Sequence, residues 1–319
     1  MITRAGPPEV LQVEERPDPE PGPGQVAIDV RACGVNFADT MARVGLYPDA
    51  PDLPAVVGYE VAGTRLDTGE RVLAGTHFGG YQSRVVVGED EVVPLPERLS
   101  FEQGAAIPVS YATAWAGLVR YGGLQAGERV LLHAAAGGVG IAATQIAKKW
   151  GAEVYGTASA AKHDAIRAQG VDVAVDYRQR GWEKGLPRFD LVMDAVGGRS
   201  FRTSYDLLNP GGRLVAFGAS AVMSGEKRNP LHAARAALRM PRFNLIKQMG
   251  ASKAVIGLNM LRLWEHAGTL RPWIDPLVEL MEDGTIQPVV AAAVPFDHAP
   301  EAHRMIAERR NVGKVVLVP

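Results

Sequence analysis

Hydrophobic and polar positions alternate in short bursts over the first third of the chain. Val26-Ala27-Ile28-Asp29-Val30 and Arg84-Val85-Val86-Val87 are such runs, and Pro/Gly clusters like Pro17 to Gly24 separate them. Period-two runs broken by turn residues predict a compact, turn-rich β domain up to about residue 110. From about residue 128 the pattern changes to short apolar strands alternating with stretches of helical period, which predicts βαβ units and a parallel sheet. The predicted strands are Arg129 to His133, Glu153 to Thr157, Val173 to Asp176, Asp190 to Asp194, Arg213 to Phe217 and Ala254 to Leu258. Six such strands complete a doubly wound sheet. A helical stretch around 260–283 is followed by two more strand patterns, Val289 to Val294 and Gly313 to Val318, assigned to the first domain because the six-stranded sheet does not need them. The expected chain is therefore α/β, with residues 1–112 completed by 261–319 as one domain and 113–260 as the other.

One segment carries a chemical signature. Leu131-Leu132-His133-Ala134-Ala135-Ala136-Gly137-Gly138-Val139-Gly140 is a predicted strand running into a glycine turn. Val139, Ala142, Ala143, Ile146, Ala147 and Trp150 then recur at helical spacing. A glycine turn lets backbone approach a diphosphate, and the helix N-terminus presents unpaired N–H groups and partial positive charge to it. Gly137, Gly138 and Val139 are thus candidate dinucleotide ligands, against the plainer reading of a small-residue packing turn. An NAD site places an acid about 20 residues further on, for the ribose 2′-hydroxyl. Here Gly156-Thr157-Ala158-Ser159-Ala160-Ala161-Lys162 contains none, and Ser159 and Lys162 suit a 2′-phosphate. Tyr177 follows the third strand and can reach the same end. These residues favour NADPH over NADH, against the alternative that Ser159 caps a helix and Lys162 is solvated.

Composition narrows the function classes. At 47% hydrophobic and 22% charged, the chain has the make-up of a soluble globular protein, and a net charge of −1 offers nucleic acid no general attraction. Cys33 is the only cysteine, expected in the core, so neither an internal disulfide nor a cysteine-based zinc site can form. No apolar run reaches a membrane span and the N-terminus lacks a signal-peptide core, so a cytoplasmic protein is expected. No Gly-x-Ser-x-Gly elbow points to hydrolysis. His298 and His303 are spaced wrongly for a metal pair on one helical face and are expected on or beside a solvated helix.

Further motifs are Ala32-Cys33-Gly34-Val35-Asn36-Phe37-Ala38-Asp39, Gly45-Leu46-Tyr47, Gly58-Tyr59-Glu60-Val61-Ala62-Gly63, Lys227-Arg228-Asn229 and Asn311 to Pro319. Together with the glycine turn, and over almost its whole length, the chain resembles the zinc-independent quinone oxidoreductase group of the medium-chain dehydrogenases/reductases. Within that group it looks most like the vesicle amine transport protein branch. The resemblance implies a GroES-like first domain, a Rossmann second domain, a cleft between them and a homodimer. It places Asn36 and Tyr47 at the nicotinamide and substrate as catalytic residues, Thr113 at the nicotinamide end, and adds Gly218 and Asn311 as cofactor contacts. Zinc-dependent relatives bind metal where this chain has Asn36 and Tyr59, so no metal is expected. The stretch Gly63 to Arg71 is shorter than the family's linker there, which bears on loop geometry only.

The implied reaction is hydride transfer from NADPH to a small electron acceptor, a quinone or an α,β-unsaturated carbonyl, since without a Lewis acid the substrate must be activated by conjugation. Tyr47 or water would supply the proton. The competing reading is an NADPH-binding scaffold or redox sensor with little catalysis. One charge asymmetry stands out. Residues 227–264 carry a formal +8 and leave −9 for the rest of the chain. Leu231, Ala234, Ala237 and Leu238 beside Arg235 and Arg239 predict a basic amphipathic helix. Either its apolar face packs on the protein, or the segment is a mobile cover that attracts anionic acceptors or an anionic membrane surface.

Overall fold

The computed structural model describes residues 1–223 and 230–319; Lys227, Arg228 and Asn229 lie outside the described residues. Five strands lead the chain, β1 (Gln25–Val35), β2 (Glu60–Arg65), β3 (Arg71–Gly75), β4 (Arg84–Gly88) and β5 (Val92–Pro94). Six follow, β6 (Arg129–Leu132), β7 (Glu153–Ala158), β8 (Val173–Asp176), β9 (Phe189–Asp194), β10 (Leu208–Ala216) and β11 (Ala254–Gly257), and then β12 (Val290–Pro295) and β13 (Lys314–Val318). They form two sheets, one in each of two compact units: 1–112 with 261–319, and 113–223 with 230–260.

In the first unit the strand order is β12-β13-β1-β2-β3-β5, with β4 also paired to β1. The sequence pattern ends the first strand at Val30, but β1 runs on to Val35 across a register slip between Val30 and Ala32. That bulge keeps Ala32, Cys33 and Val35 buried after the simple alternation has failed. β1 pairs antiparallel with β13, Cys33 opposite Leu317, so the C-terminal strands close the sheet of the first unit. Its core gathers Val26, Ile28, Cys33 and Val35 with Val61, Val72, Val85, Val315 and Leu317. The short Gly63 to Arg71 linker is a tight hairpin, closed by Arg65 N–H to Glu70 O at 2.9 Å with Gly69 at φ 74°.

The second unit is a six-stranded parallel sheet ordered β11-β10-β9-β6-β7-β8. The chain winds outward from β6 through β7 and β8, then returns to β9 and winds the other way. The carboxyl ends of β6 and β9 therefore flank the point where winding reverses, which is where such sheets bind ligands. β10 begins at Leu208, before the predicted Arg213, because Leu208 pairs with Phe189 ahead of a register slip. Between β10 and β11 lie the helices Pro230–Leu238 and Leu245–Ala251. The apolar face expected on the first does not pack: Leu231 and Leu238 are 78% and 84% exposed, and Ala234 and Ala237 are exposed too. The helix is short and docks through Ala236 and through His232, whose Nε2 meets Ala221 O at 2.9 Å. Among the described residues no helix is long and apolar enough to cross a membrane.

Candidate active site

The glycine turn leaves β6 and enters the helix Gly138–Lys149. Gly140 lets that helix sit against the strand end, since a Cβ there would meet Ala135 Cα at 2.6 Å. Gly137 is the N-cap residue and has no side chain to cap the helix, so the first-turn N–H groups, including those of Gly138 and Val139, lack intrahelical acceptors. This is the donor set a diphosphate requires. The turn is held from behind. Ala134, at φ 55°, donates its N–H to Thr157 Oγ1 at 3.3 Å, and Ala135 N–H donates to Thr157 O at 3.0 Å. Thr157 Oγ1 lies 3.3 Å from His133 Nδ1, His133 Nε2 lies 3.0 Å from Ser204 Oγ, and Ser204 donates to Asp194 Oδ2 at 2.7 Å. One proton arrangement satisfies all of these: Thr157 donates to Nδ1, and Nε2–H donates to Ser204. Burial lowers the His133 pKa and keeps the ring neutral, as that arrangement needs. Nothing in the spacing of His133, Thr157, Asp194 and Ser204 announces this network, because four separate elements supply it.

β7 and β8 pair with Ala158 opposite Asp176, which brings Ser159 and Tyr177 to the carboxyl ends of neighbouring strands. Ser159 precedes the turn Ala160–Lys162, but its side chain does not cap it. The capping alternative for Ser159 thus fails. Asp176, an acid at this end that sequence reasoning passed over, is turned away to accept Arg178 N–H at 3.0 Å. Gly218 follows β10 and packs on Ala195, whose O would be 3.0 Å from an added Cβ. Thr113 is buried in the helix Pro108–Trp115.

The first unit assembles a different cluster. Asn36 follows β1, and its Nδ2 donates to Glu60 Oε1 at 2.8 Å while its Oδ1 accepts from Lys314 Nζ at 2.6 Å. Lys314 Nζ also lies 2.5 Å from Glu60 Oε1, and both side chains are buried. Glu60 Oε2 accepts Val109 N–H at 2.7 Å. Both polar ends of the Asn36 amide are therefore oriented. Tyr47, half-buried, stands edge-on to Tyr59 with ring centroids 6.5 Å apart, and Phe78 lies 4.7 Å from Tyr59 on its other contact. Asn311, a resemblance-based cofactor contact, uses its amide to donate to Gly313 O at 2.7 Å in the turn before β13.

Behind Asn36 runs a second buried chain. Arg43 Nε donates to His303 Nδ1 at 3.2 Å, His303 Nε2 meets Tyr81 OH at 3.2 Å, and Tyr81 donates to Asp39 Oδ2 at 3.0 Å. Asp39 also accepts N–H from Asn36 and Gly58 at 2.7 and 3.1 Å. Gly58, at φ 102°, is packed so closely on Tyr81 that an added Cβ would come within 2.9 Å of its backbone N. Burial raises the Asp39 pKa to about 7 against the pull of its donors, and burial lowers that of His303 to about 3. His303 is fully buried, contrary to its expected place on a solvated helix. The helix Ala299–Ala307 turns that one position inward onto Arg43 and Tyr81. His298, just before it, is exposed.

These residues do not suit zinc. Lys314 holds Glu60 with an ammonium, so a divalent cation would have to displace a positive charge. The buried Cys33 thiol donates to Gly80 O at 2.8 Å, and burial drives its pKa up, away from the thiolate that zinc binds. Among the described residues, no group of three or more His, Cys, Asp or Glu side chains is arranged to hold a metal.

Two family models match: the alcohol dehydrogenase GroES-like domain over residues 22–97 and the zinc-binding dehydrogenase over 169–317. The chain is 36% identical to the human synaptic vesicle membrane protein VAT-1 homolog, covering 100% of this chain and 86% of that one. Its structure resembles Escherichia coli quinone oxidoreductase complexed with NADPH, at 30% identity and a TM-score of 0.85, covering 100% of this chain and 98% of that one. It also resembles the CurK enoyl reductase, at 25% identity and a TM-score of 0.81, covering 99% and 97%. With a GroES-like first unit, a Rossmann-type second and the human VAT-1 homolog matched over the whole of this chain, the chain belongs to the medium-chain dehydrogenase/reductase superfamily, in the branch of the VAT-1 homologs.

Proposed function

We propose that the protein is a zinc-independent, NADPH-dependent reductase of quinones or α,β-unsaturated carbonyls. The observation that carries this reading is the uncapped helix start at Gly138, supported by Ser159 and Tyr177 just past the ends of neighbouring strands and Lys162 closing the turn after Ser159. Gly137, Gly138 and Val139 would hold the diphosphate through N–H groups and the helix dipole. Ser159, Lys162 and Tyr177 would hold the 2′-phosphate, Thr113 and Gly218 the nicotinamide half, and Asn311 a further edge. When bound, NADPH supplies a hydride. Asn36 offers its remaining amide N–H to the acceptor, and the Glu60–Lys314 pair keeps that amide from rotating. Tyr47 is protonated at neutral pH as an ordinary phenol is, and burial raises its pKa further; it or water would protonate the product. Reading NADPH oxidation at 340 nm against quinones, enones and 2-enoyl thioesters tests the reading. Tight NADPH binding with no turnover of any acceptor would leave the scaffold in its place.

The domain division at 112 and 260, placement in the cytoplasm and a homodimer belong to the same proposal. For the dimer the support is β11, which among the described residues pairs with β10 alone at the rim of its sheet, and the exposed Leu245, Ile246 and Met249 in the helix just before it.

A further inference from the structure

We propose that Tyr59 is a catalytic residue of this reductase, its phenol O–H donating to the carbonyl oxygen of a flat, conjugated acceptor; the proposal rests on the reductase reading above. Tyr59 is 5% exposed, and among the described residues no group closes a hydrogen bond of ordinary geometry on its hydroxyl, although the Tyr47 hydroxyl lies beside it. Burying a donor without a partner is unfavourable, and phenylalanine would fill the same space without that cost. A hydroxyl kept there is explained by a ligand oxygen that completes it.

The surroundings suit a planar carbonyl compound. The tilted ring of Phe78 and the edge-on ring of Tyr47 flank Tyr59, so aromatic groups surround its phenol. Tyr59 directly precedes β2, so it is one peptide from Glu60, which orients the Asn36 amide. Its backbone is pinned: Thr76 N–H donates to Tyr59 O at 2.9 Å, and Thr76 Oγ1 donates to Gly58 O at 3.1 Å. Burial first, then the nearby carboxylate of Asp39 and the neighbouring Tyr47 hydroxyl, push its pKa far up, so the phenol keeps its proton and serves as a hydrogen-bond donor.

The step balances as follows. When bound, NADPH would supply a hydride, its C–H bonding pair passing into a new C–H bond on the acceptor carbon. The conjugated π electrons move to the carbonyl oxygen, where the Tyr59 O–H meets the gathering negative charge. The nicotinamide is oxidised and the acceptor reduced. The proton that completes the product comes from Tyr47 or water, and Tyr59 ends as it began.

The test is Tyr59→Phe, measured four ways. We expect a melting temperature equal to or above wild type, because no protein hydrogen bond is lost, and an unchanged Kd for NADPH. We expect kcat/KM for 1,4-naphthoquinone to fall roughly tenfold or more, mostly in kcat. Infrared spectra of 1,4-naphthoquinone bound without NADPH should show the carbonyl band shifted down in wild type and back up in the variant. Wild-type activity together with an unchanged band and kcat/KM in the variant overturns the proposal, as does a lower melting temperature, which would mean the hydroxyl is structurally partnered. If wild type binds NADPH but reduces nothing, the reductase reading fails by itself, and loss of the band shift would still support Tyr59 as a carbonyl donor. Tyr59→Leu, which also lacks the hydroxyl, repeats the infrared measurement should the phenylalanine variant not fold.

Discussion

Replacing Lys314 with Met removes an ammonium that lies 2.5 Å from Glu60 and 2.6 Å from Asn36 Oδ1. Glu60 is then left as a buried carboxylate at 0% exposure, facing only the Val109 N–H and the Asn36 amide. Removing one partner of a buried pair costs about 3–5 kcal/mol, and the two remaining donors place this case near the lower end. For a unit of this size about 1 kcal/mol corresponds to roughly 2–4 °C, so a fall of about 6–12 °C in melting temperature is expected. Calorimetry of Lys314→Met beside wild type measures it. The double variant Glu60→Gln/Lys314→Met carries no uncompensated buried charge and should recover much of the loss, a coupling of about 1–3 kcal/mol. A single variant within about 1 kcal/mol of wild type would refute the reasoning, and so would a double variant whose loss is the plain sum of the two singles. Because Lys314 also fixes Asn36, acceptor KM should rise in the single variant before any thermal loss is reached.

Four further outcomes are expected. Lys162→Ala should weaken NADPH by roughly 1.5–3 kcal/mol and leave NADH nearly untouched, so equal losses in titrations at fixed salt would remove Lys162 from the phosphate site. The Asp39 pKa is raised on folding from 3.8 to about 7, so its contribution to stability is full below about 4 and drains as pH rises to 7. The His303 pKa is lowered from 6.5 to about 3, so its contribution is full above 6.5 and drains on acidification; the two slopes oppose each other between about 4 and 6.5. Asp39→Asn should therefore make melting temperature fall more steeply from pH 6.5 to 4 than in wild type, and parallel curves would contradict the assignment. Purified protein should contain no stoichiometric zinc by metal analysis, with activity indifferent to chelators. Ile246→Glu with Met249→Glu should shift a dimer to monomer in light scattering; an unchanged dimer would place the interface elsewhere, and loss of binding to anionic vesicles in Arg235→Gln/Arg239→Gln would favour the membrane reading of the basic segment.

The second unit was largely legible in the chain because its information is local. Strand, glycine turn and helix follow one another within residues 129–149, and a parallel sheet buried on both faces writes each strand as an apolar run. Ser159 and Tyr177 could be singled out for the same reason: each follows directly on its strand. The sequence by itself also set the expectation of a site without zinc, since it holds one cysteine and, by the family resemblance, has Asn36 and Tyr59 at the metal-binding motif positions. Only the tertiary structure decided which polar groups are buried together. His303 looked solvated on a helix of mixed character, yet it meets Arg43 and Tyr81 from distant segments, and Lys314 reaches Asn36 across 278 positions of sequence. The helix Pro230–Leu238 has an apolar stripe that predicts packing, but whether a stripe finds a surface depends on what the rest of the chain places opposite it, and Leu231 and Leu238 face solvent. The Tyr59 hydroxyl belongs to the same class. An unmet hydrogen bond is a property of the surrounding space, and no spacing of residues records it.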